Sequence, residues 1–113
     1  AADLVNIKLM KCGGLLGALK LNAIAETAGI VAQVGTMVES SIASAAGLHL
    51  ALALANVHTV EMGGPLMLAE DLGDVRAWYD RDRIAVPDRP GLGIDIDEER
   101  VQRFSSGWWT VSP

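Results

Sequence analysis

Residues 30–61 read IVAQVGTMVESSIASAAGLHLALALANVHTVE, and this stretch decides the fold. Residues 30–34 and 57–61, at its two ends, are short runs rich in β-branched residues, which is typical of strands. Between them, Ser40 or Ser41 can cap a helix, and residues from about 42 to 55 are apolar almost throughout. Because parallel strands need a crossover of about this length, the stretch predicts a parallel β-α-β unit that is buried on both faces.

The same alternation of short strands and helices begins earlier in the chain. Residues 4–9 form another β-rich run, which Cys12-Gly13-Gly14 stop. Apolar residues then recur at helical spacing from Leu15 to Ala28, until Gly29 ends the helix. The predicted order is therefore β-α-β-α-β, and the predicted fold class is α/β.

The rest of the chain is polar and rich in turns. The sequence predicts a short helical segment at 66–72, a solvated strand or loop at 76–86 and a terminal helix at 97–104, whose first turn is acidic. We therefore divide the chain into two parts. Residues 1–72 hold the β-α-β-α-β unit and the short helix, and residues 73–113 form a tail.

The composition excludes several classes of protein. Half of the 113 residues are hydrophobic, which excludes intrinsic disorder, and the single cysteine excludes an internal disulfide framework. A net charge of −5 without a basic cluster argues against a nucleic-acid partner. The apolar helix is shorter than the roughly 20 residues that span a membrane. Because no signal peptide is visible either, the sequence predicts a cytoplasmic protein with no membrane partner.

Three charged side chains stand where predicted strands end. Lys8 lies at the end of the first, Glu39 follows the second and Glu61 ends the third. Because the loops after the strands of a parallel β/α barrel form its active face, these residues are candidates for catalysis or binding. The alternative for Lys8 is a salt-bridged lysine at a strand end. For the two glutamates the alternative is helix capping or an ion pair.

Other residues whose side chains or backbone could bind a ligand or take part in a reaction are interpreted as structural. Gly13-Gly14 before a helix is a turn rather than an anion cradle, because the Rossmann and P-loop spacings are absent. Cys12 is predicted to be a small buried hydrophobe, since no histidine is near it. His49 and His58 lack metal-ligand spacing to each other. The pair Trp108-Trp109 is interpreted as a packing anchor rather than a base-stacking platform.

Four segments carry a resemblance to a known family. They are Val5–Gly14, Gly35–Ser40, Glu61–Leu68 with Glu70-Asp71, and Val86–Gly93. In this order they resemble the sixth strand, the segment after the seventh strand, the eighth strand with its loop, and the return segment of the muconate-lactonizing subgroup of the enolase superfamily. The resemblance implies that the chain is the C-terminal part of a (β/α)7β TIM-like barrel, strands six to eight, whose tail returns to a capping domain.

The resemblance also implies a site and a reaction. Lys8 matches a catalytic acid/base of the subgroup. Thr36 and Val38 match positions that line the substrate in related epimerases. Glu39 and Glu61 match polar positions at the barrel mouth, where we expect them to bind substrate. The family acts on small carboxylates, stabilises an enolate with Mg²⁺ and moves a proton with lysines. Its metal ligands belong to earlier strands, so this chain is expected to supply none of them.

The sequence differs from two subgroup patterns of the family, and these differences bear on which reaction is expected. Dipeptide epimerases carry Asp-x-Asp where this sequence has Glu61-Met62-Gly63, whereas muconate cycloisomerases carry a matching glutamate but a bulky residue at the position of Gly63. The resemblance favours a muconate cycloisomerase-like activity, with an amino-acid-derivative racemase or a dipeptide epimerase as the alternative.

A third hypothesis is a non-catalytic fragment that only associates with other chains. Alone, the chain is expected to be inactive. Its expected partners are the remaining barrel and capping-domain segments, or other copies of itself.

Overall fold

A parallel three-stranded sheet forms the centre of the molecule. The structure is a computed structural model, and it describes residues 2–107. The strands, each parallel to the next, pair in chain order: β1 (Leu4–Ile7), β2 (Val31–Gly35) and β3 (Val57–Glu61). The helices between them are α1 (Leu9–Cys12), α2 (Leu15–Thr27) and α3 (Ser41–Ala53). The predicted β-α-β-α-β order and the α/β class are therefore confirmed.

Helices α2 and α3 pack on one face of the sheet. Alternate residues of each strand point toward this face, and Ile7, Ala32 and Val34 are fully buried there. Ala18 of α2 and Leu48 of α3 belong to the same core. The core consists mainly of small and medium aliphatic side chains, which lets helix and sheet approach closely.

The opposite face of the sheet carries polar side chains. Asn6, Gln33 and Thr59 are register neighbours across the three strands, and the Thr59 hydroxyl donates to Oε1 of Gln33 at 3.0 Å. Lys8 lies two residues beyond Asn6 and therefore on the same side as Asn6. In a closed β/α barrel this face would line the interior.

The first strand is shorter than the sequence predicts. The β-rich run was expected to continue to Leu9, but β1 ends at Ile7 and Leu9 begins the single-turn helix α1. The Lys8 carbonyl accepts the N–H groups of Lys11 and Cys12, and Gly13 closes the turn at φ 81°. Glycine reaches this conformation at no steric cost, so the turn overrides the β propensity of the preceding residues.

The chain after β3 folds into short elements: helix α4 (Gly64–Met67), a 3-10 helix (Val75–Trp78), a hairpin of β4 (Tyr79–Asp80) and β5 (Arg83–Ile84), and helix α5 (Glu98–Phe104). The predicted helical segment at 66–72 is displaced, because Pro65 stands in the first turn of α4 and favours a start there. The region 76–86 is a turn of 3-10 helix and a hairpin rather than one strand or loop. The terminal helix lies close to where it was predicted.

Asp71, which lies just before the tail, joins the tail to the beginning of α3. Asp71 accepts the backbone N–H of Ser41 at 2.9 Å and the Ser41 hydroxyl at 2.8 Å. The Ser41 oxygen in turn accepts the N–H of Val75 at 3.2 Å, and Arg100 of α5 donates to the Asp71 carbonyl at 2.8 Å. Ser41 is completely buried, so these bonds satisfy a helix terminus that water cannot reach.

The residues interpreted as structural differ in their surroundings. Cys12 is only partly buried, because α1 contacts the core on one side, so the prediction of a buried cysteine is wrong. His49 contacts the Leu92 carbonyl at 3.0 Å and packs edge-on against Trp78, whereas His58 is exposed. The pair Trp108-Trp109 lies outside the described residues. Among residues 2–107, no helix has the length and apolar character needed to cross a membrane.

Candidate active site

The carboxyl ends of the three strands bring Lys8, Thr36 and Glu61 together. Lys8 follows the last residue of β1, Thr36 follows the last residue of β2, and Glu61 is the last residue of β3. Because the strands are parallel, these ends meet at one edge of the sheet, which is where β/α barrels carry their chemistry. Residues that are far apart in sequence thus become neighbours.

Two oxygen atoms hold the Lys8 ammonium group. Nζ donates to the carbonyl oxygen of Thr36 at 2.5 Å and lies 3.8 Å from Oε2 of Glu61. The Lys8 side chain is 21% exposed and the Glu61 side chain is 54% exposed, so water competes for the ion pair. Such a pair contributes at most about 1 kcal/mol to stability. Its effect is to orient an ammonium group that remains reachable from solvent.

Thr36 connects the other two site residues. Its N–H donates to the Glu61 carbonyl at 3.0 Å, and its hydroxyl lies 3.4 Å from the same oxygen. Its own carbonyl accepts the Lys8 ammonium group. Thr36 is buried, and its backbone therefore fixes the distance between the end of β1 and the end of β3.

Val38 and Glu39 complete the loop after β2, with different surroundings. Val38 is 46% exposed and has φ 65°, a left-handed conformation that costs a β-branched residue roughly 1–2 kcal/mol. Glu39 is buried, and its Oε2 accepts the N–H of Met37 at 2.6 Å. The structure thus brings Lys8, Thr36 and Glu61 together, exposes Val38 beside them and turns the Glu39 carboxylate onto the backbone of its own loop.

Sequence reasoning missed two contacts that shape the site. The Tyr79 hydroxyl donates to the carbonyl of Met62, directly after Glu61, and burial raises the Tyr79 pKa above 10.0. A Cβ atom at Gly35 would lie 2.5 Å from Oδ1 of Asn6, so the Asn6 side chain packs directly against Gly35, the residue before Thr36. Gly35 at the end of a β-rich run was a usable signal for the second contact, because a glycine in a strand often marks a close approach of another group. No sequence signal existed for the first, because a single tyrosine in a tail has no recognisable pattern.

The described residues do not form a metal site. Within 2–107, no three or more His, Cys, Asp and Glu side chains converge closely enough to hold a metal ion. Glu61 is engaged with Lys8, and Glu39 is engaged with a backbone N–H. Mg²⁺ needs near-octahedral oxygen ligands, of which this region offers too few. A metal ion beside Lys8 would therefore take its ligands from other residues.

The chain is similar in sequence and in structure to several known proteins. Over 105 residues the chain is 50% identical to the N-succinyl-L-Arg/Lys racemase of Bacillus cereus, and it is similar to that enzyme's crystal structure with a TM-score of 0.88. It is 41% identical over 105 residues to muconate cycloisomerase 1-1 of Acinetobacter lwoffii. It is also similar to a dipeptide epimerase from Methylococcus capsulatus complexed with Mg ion, at 42% identity and a TM-score of 0.74.

These similarities involve nearly all of this chain but a minor part of each relative. The matches cover 93% of the chain and 28% of the racemase, 92% of the chain and 28% of the cycloisomerase, and 84% of the chain and 28% of the epimerase structure. The relatives are isomerases by name, and each is much longer than this chain. A family model described as "Enolase C-terminal domain-like" matches residues 1–100. The chain therefore belongs to the enolase C-terminal domain-like family of the enolase superfamily.

Proposed function

We propose that this chain is the C-terminal barrel segment, strands six to eight, of a Mg²⁺-dependent isomerase in which Lys8 moves a proton at the carbon next to a substrate carboxylate. The observation that carries the proposal is the Lys8 ammonium group at the carboxyl end of β1, held by the Thr36 carbonyl at 2.5 Å and near Glu61 at 3.8 Å. The part of the chain after residue 72 would return to a capping domain, as the resemblance implies. The metal ligands would lie outside this chain.

The chemistry of Lys8 supports an acid/base role. An ammonium group has three protons to donate; the Thr36 carbonyl accepts one of them, while Glu61 forms an ion pair with the group at 3.8 Å without accepting a hydrogen bond. A proton that is not donated to Thr36 is available to a substrate carbon, and after losing it the neutral amine can take a proton from the same position. General acid–base catalysis by a positioned side chain is worth about 10²–10⁴-fold in rate. Thr36, Val38 and Glu61 would surround the substrate at this edge of the sheet.

Two reactions of this kind are supported by different observations. A cycloisomerase is supported by Glu61, which matches the cycloisomerase pattern, and by the 41% identity to a muconate cycloisomerase. A racemase of an amino-acid derivative is supported by the 50% identity to the N-succinyl-L-Arg/Lys racemase. It is also supported by the open space at Gly63, where a Cβ atom would meet only Oε1 of Glu61, at 4.0 Å. A substrate larger than muconate would use that space.

The two reactions are distinguished with the full-length protein that contains this segment. Cis,cis-muconate is tested by its loss of ultraviolet absorbance, and N-succinyl-L-arginine and N-succinyl-L-lysine by loss of optical rotation. In D₂O a racemase also exchanges the substrate α-hydrogen for deuterium, which mass spectrometry detects. Turnover of muconate alone supports the cycloisomerase, and racemisation with deuterium exchange supports the racemase. Absence of both activities and of dipeptide epimerisation in a folded, Mg²⁺-loaded protein contradicts the proposed function.

A further inference from the structure

The loop after β2 is anchored at both of its ends. At one end, Gly35 is paired with Glu61 in the sheet. At the other end, the Glu39 carbonyl lies 3.4 Å from the Ser44 hydroxyl, and the Glu39 backbone packs so closely on Gly64 that a Cβ there would lie 2.8 Å from the Glu39 oxygen. Because Thr36 is also hydrogen-bonded to Glu61, residues 37 and 38 form a short segment between two anchored ends.

The backbone conformation of residues 37 and 38 needs a restraint. Val38 has φ 65°, which a β-branched residue avoids unless its surroundings impose it. The restraint that the structure offers is the Glu39 carboxylate, which returns to the backbone and accepts the N–H of Met37 at 2.6 Å. Glu39 is only 7% exposed, so water does not compete effectively for this bond.

The same segment holds the ammonium group of Lys8. The Thr36 carbonyl, which accepts Nζ at 2.5 Å, belongs to the peptide unit that leads to Met37, whose N–H is fixed by Glu39. Rotation of that peptide would move the Thr36 carbonyl away from Lys8. We infer that Glu39 is a positioning residue: it fixes the peptide between Thr36 and Met37 and thereby the Lys8 ammonium group, instead of contacting substrate.

This inference rests on the proposed function and is tested in the full-length, Mg²⁺-loaded protein with whichever substrate that protein turns over. Glu39→Ala should lower kcat about 10–100-fold, the scale of a small misplacement of a catalytic group, and leave KM within about twofold. Glu39→Gln keeps an oxygen that accepts the Met37 N–H and should restore most of kcat. Glu26→Ala, which removes an exposed carboxylate from α2, is the control and should change neither parameter.

A Val38→Gly background distinguishes a positioning role of Glu39 from a general structural role. Glycine adopts a positive φ without strain, so in a Val38→Gly protein the loop depends less on its restraint. Removal of Glu39 should therefore cost at least threefold less in kcat in the Val38→Gly background than in the wild type. An equal cost in both backgrounds overturns the inference.

Hydrogen exchange makes the test independent of activity. The Met37 amide should exchange at least tenfold faster in Glu39→Ala than in the wild type, and close to the wild-type rate in Glu39→Gln. If KM rises while kcat is unchanged, or if Met37 exchange is unaffected, Glu39 does not position the loop. If the protein turns over no tested substrate, the proposed function fails, and Met37 exchange still decides whether Glu39 restrains this segment.

Discussion

Lys8 is the residue on which the proposed chemistry depends, and its environment supports that role. Its ammonium group is oriented by a backbone carbonyl and a carboxylate, and it is partly exposed at the edge where parallel strands end. In the full-length protein, we expect Lys8→Ala to lower turnover by about 10²–10⁴-fold, because a positioned acid/base supplies about that much. Steady-state kinetics measures the effect. Lys11→Ala, which removes an exposed lysine from the same turn, should leave turnover unchanged. Turnover retained in Lys8→Ala would exclude the role.

Two glycines inside helices make a matched pair for stability. Glycine to alanine in a helix normally gains up to about 1 kcal/mol. At Gly17 of α2, however, the new Cβ would lie 1.7 Å from the backbone oxygen of Cys12, so the turn between α1 and α2 must move. At Gly47 of α3 the nearest atom, at 2.8 Å, is the terminal methyl of Met62, which is flexible and can shift.

We therefore expect different effects on stability from the two substitutions. Gly17→Ala should lower the free energy of unfolding by about 1–3 kcal/mol, the usual cost of overpacking. Gly47→Ala should stay within about 1 kcal/mol of the wild type, since helix propensity offsets the small repacking. Urea unfolding of the full-length protein, followed by circular dichroism, measures both. Equal destabilisation by the two substitutions would show that the contact of the new Cβ with the Cys12 backbone at position 17 costs no more than its contact with Met62 at position 47.

At the scale of elements, the tail supports the strand ends from outside the sheet. Asp71 satisfies the buried start of α3, and the β4–β5 hairpin reaches the loop after β3 through the Tyr79 hydroxyl, which donates to the Met62 carbonyl. Both contacts join the chain after α4 to segments directly beside the site. These segments are therefore part of the structure that places Thr36 and Glu61, although none of the described residues from 68 to 107 belongs to the candidate active site.

The Tyr79 contact should depend on pH in a defined direction. Burial raises the Tyr79 pKa above 10.0, so its contribution to stability is fully present below pH 10.0 and is lost as the pH rises through the raised pKa. In the full-length protein, the tyrosinate absorbance that is lost in Tyr79→Phe reports this group alone. We expect a titration midpoint above 10.0 in the folded protein and an ordinary midpoint in urea. A folded-state midpoint at or below the urea value would contradict the burial of this side chain.

At the scale of the whole molecule, the chain exposes more solvent-accessible surface than a compact monomer of its mass. Its accessible surface is 7603 Å², whereas a folded monomer of this mass exposes about 5,900 Å². The outer side of α2 contributes apolar area, with Leu16 75% exposed and Ile24 73% exposed. In addition, β1 and β3 are the edges of an open sheet and present unpaired backbone groups.

We expect, for these reasons, that the isolated chain is not a stable monomer. Open strand edges and exposed apolar helix faces favour association, either with the segments that complete the barrel or with other copies. Sedimentation velocity at micromolar concentration should show species larger than the 11.9 kDa chain. The full-length protein is the control, because there the edges and helix faces would be covered. A single compact species of 11.9 kDa would be incompatible with this view and with the hypothesis of an associating fragment.

The isolated chain should also have negligible affinity for Mg²⁺. Within residues 2–107, no cluster of acidic or other ligating side chains can surround a metal ion. Isothermal titration calorimetry should give no saturable heat with the isolated chain, whereas the full-length protein should bind Mg²⁺ through ligands from elsewhere. A tight one-to-one site on the isolated chain would refute the assignment of the ligands to other segments.

The sequence by itself determined the order of elements and the family. Strand and helix periods are local properties of side-chain pattern, so βαβαβ was predictable, as was the convergence of Lys8 and Glu61 at one edge of a parallel sheet. The segments that resemble the enolase superfamily are likewise contiguous, and a contiguous motif is readable from the sequence alone.

Only the tertiary structure decided how the site is held. The partner of Lys8 is the backbone carbonyl of Thr36, and because every residue has the same carbonyl, no sequence pattern marks it. The Glu39 carboxylate turned to Met37 because the backbone around it was fixed by α3 and Gly64, a packing constraint between distant segments. The end of β1 at Ile7 was decided by the competing turn at Gly13. Side-chain direction and element ends depend on contacts that form only when the whole chain has folded.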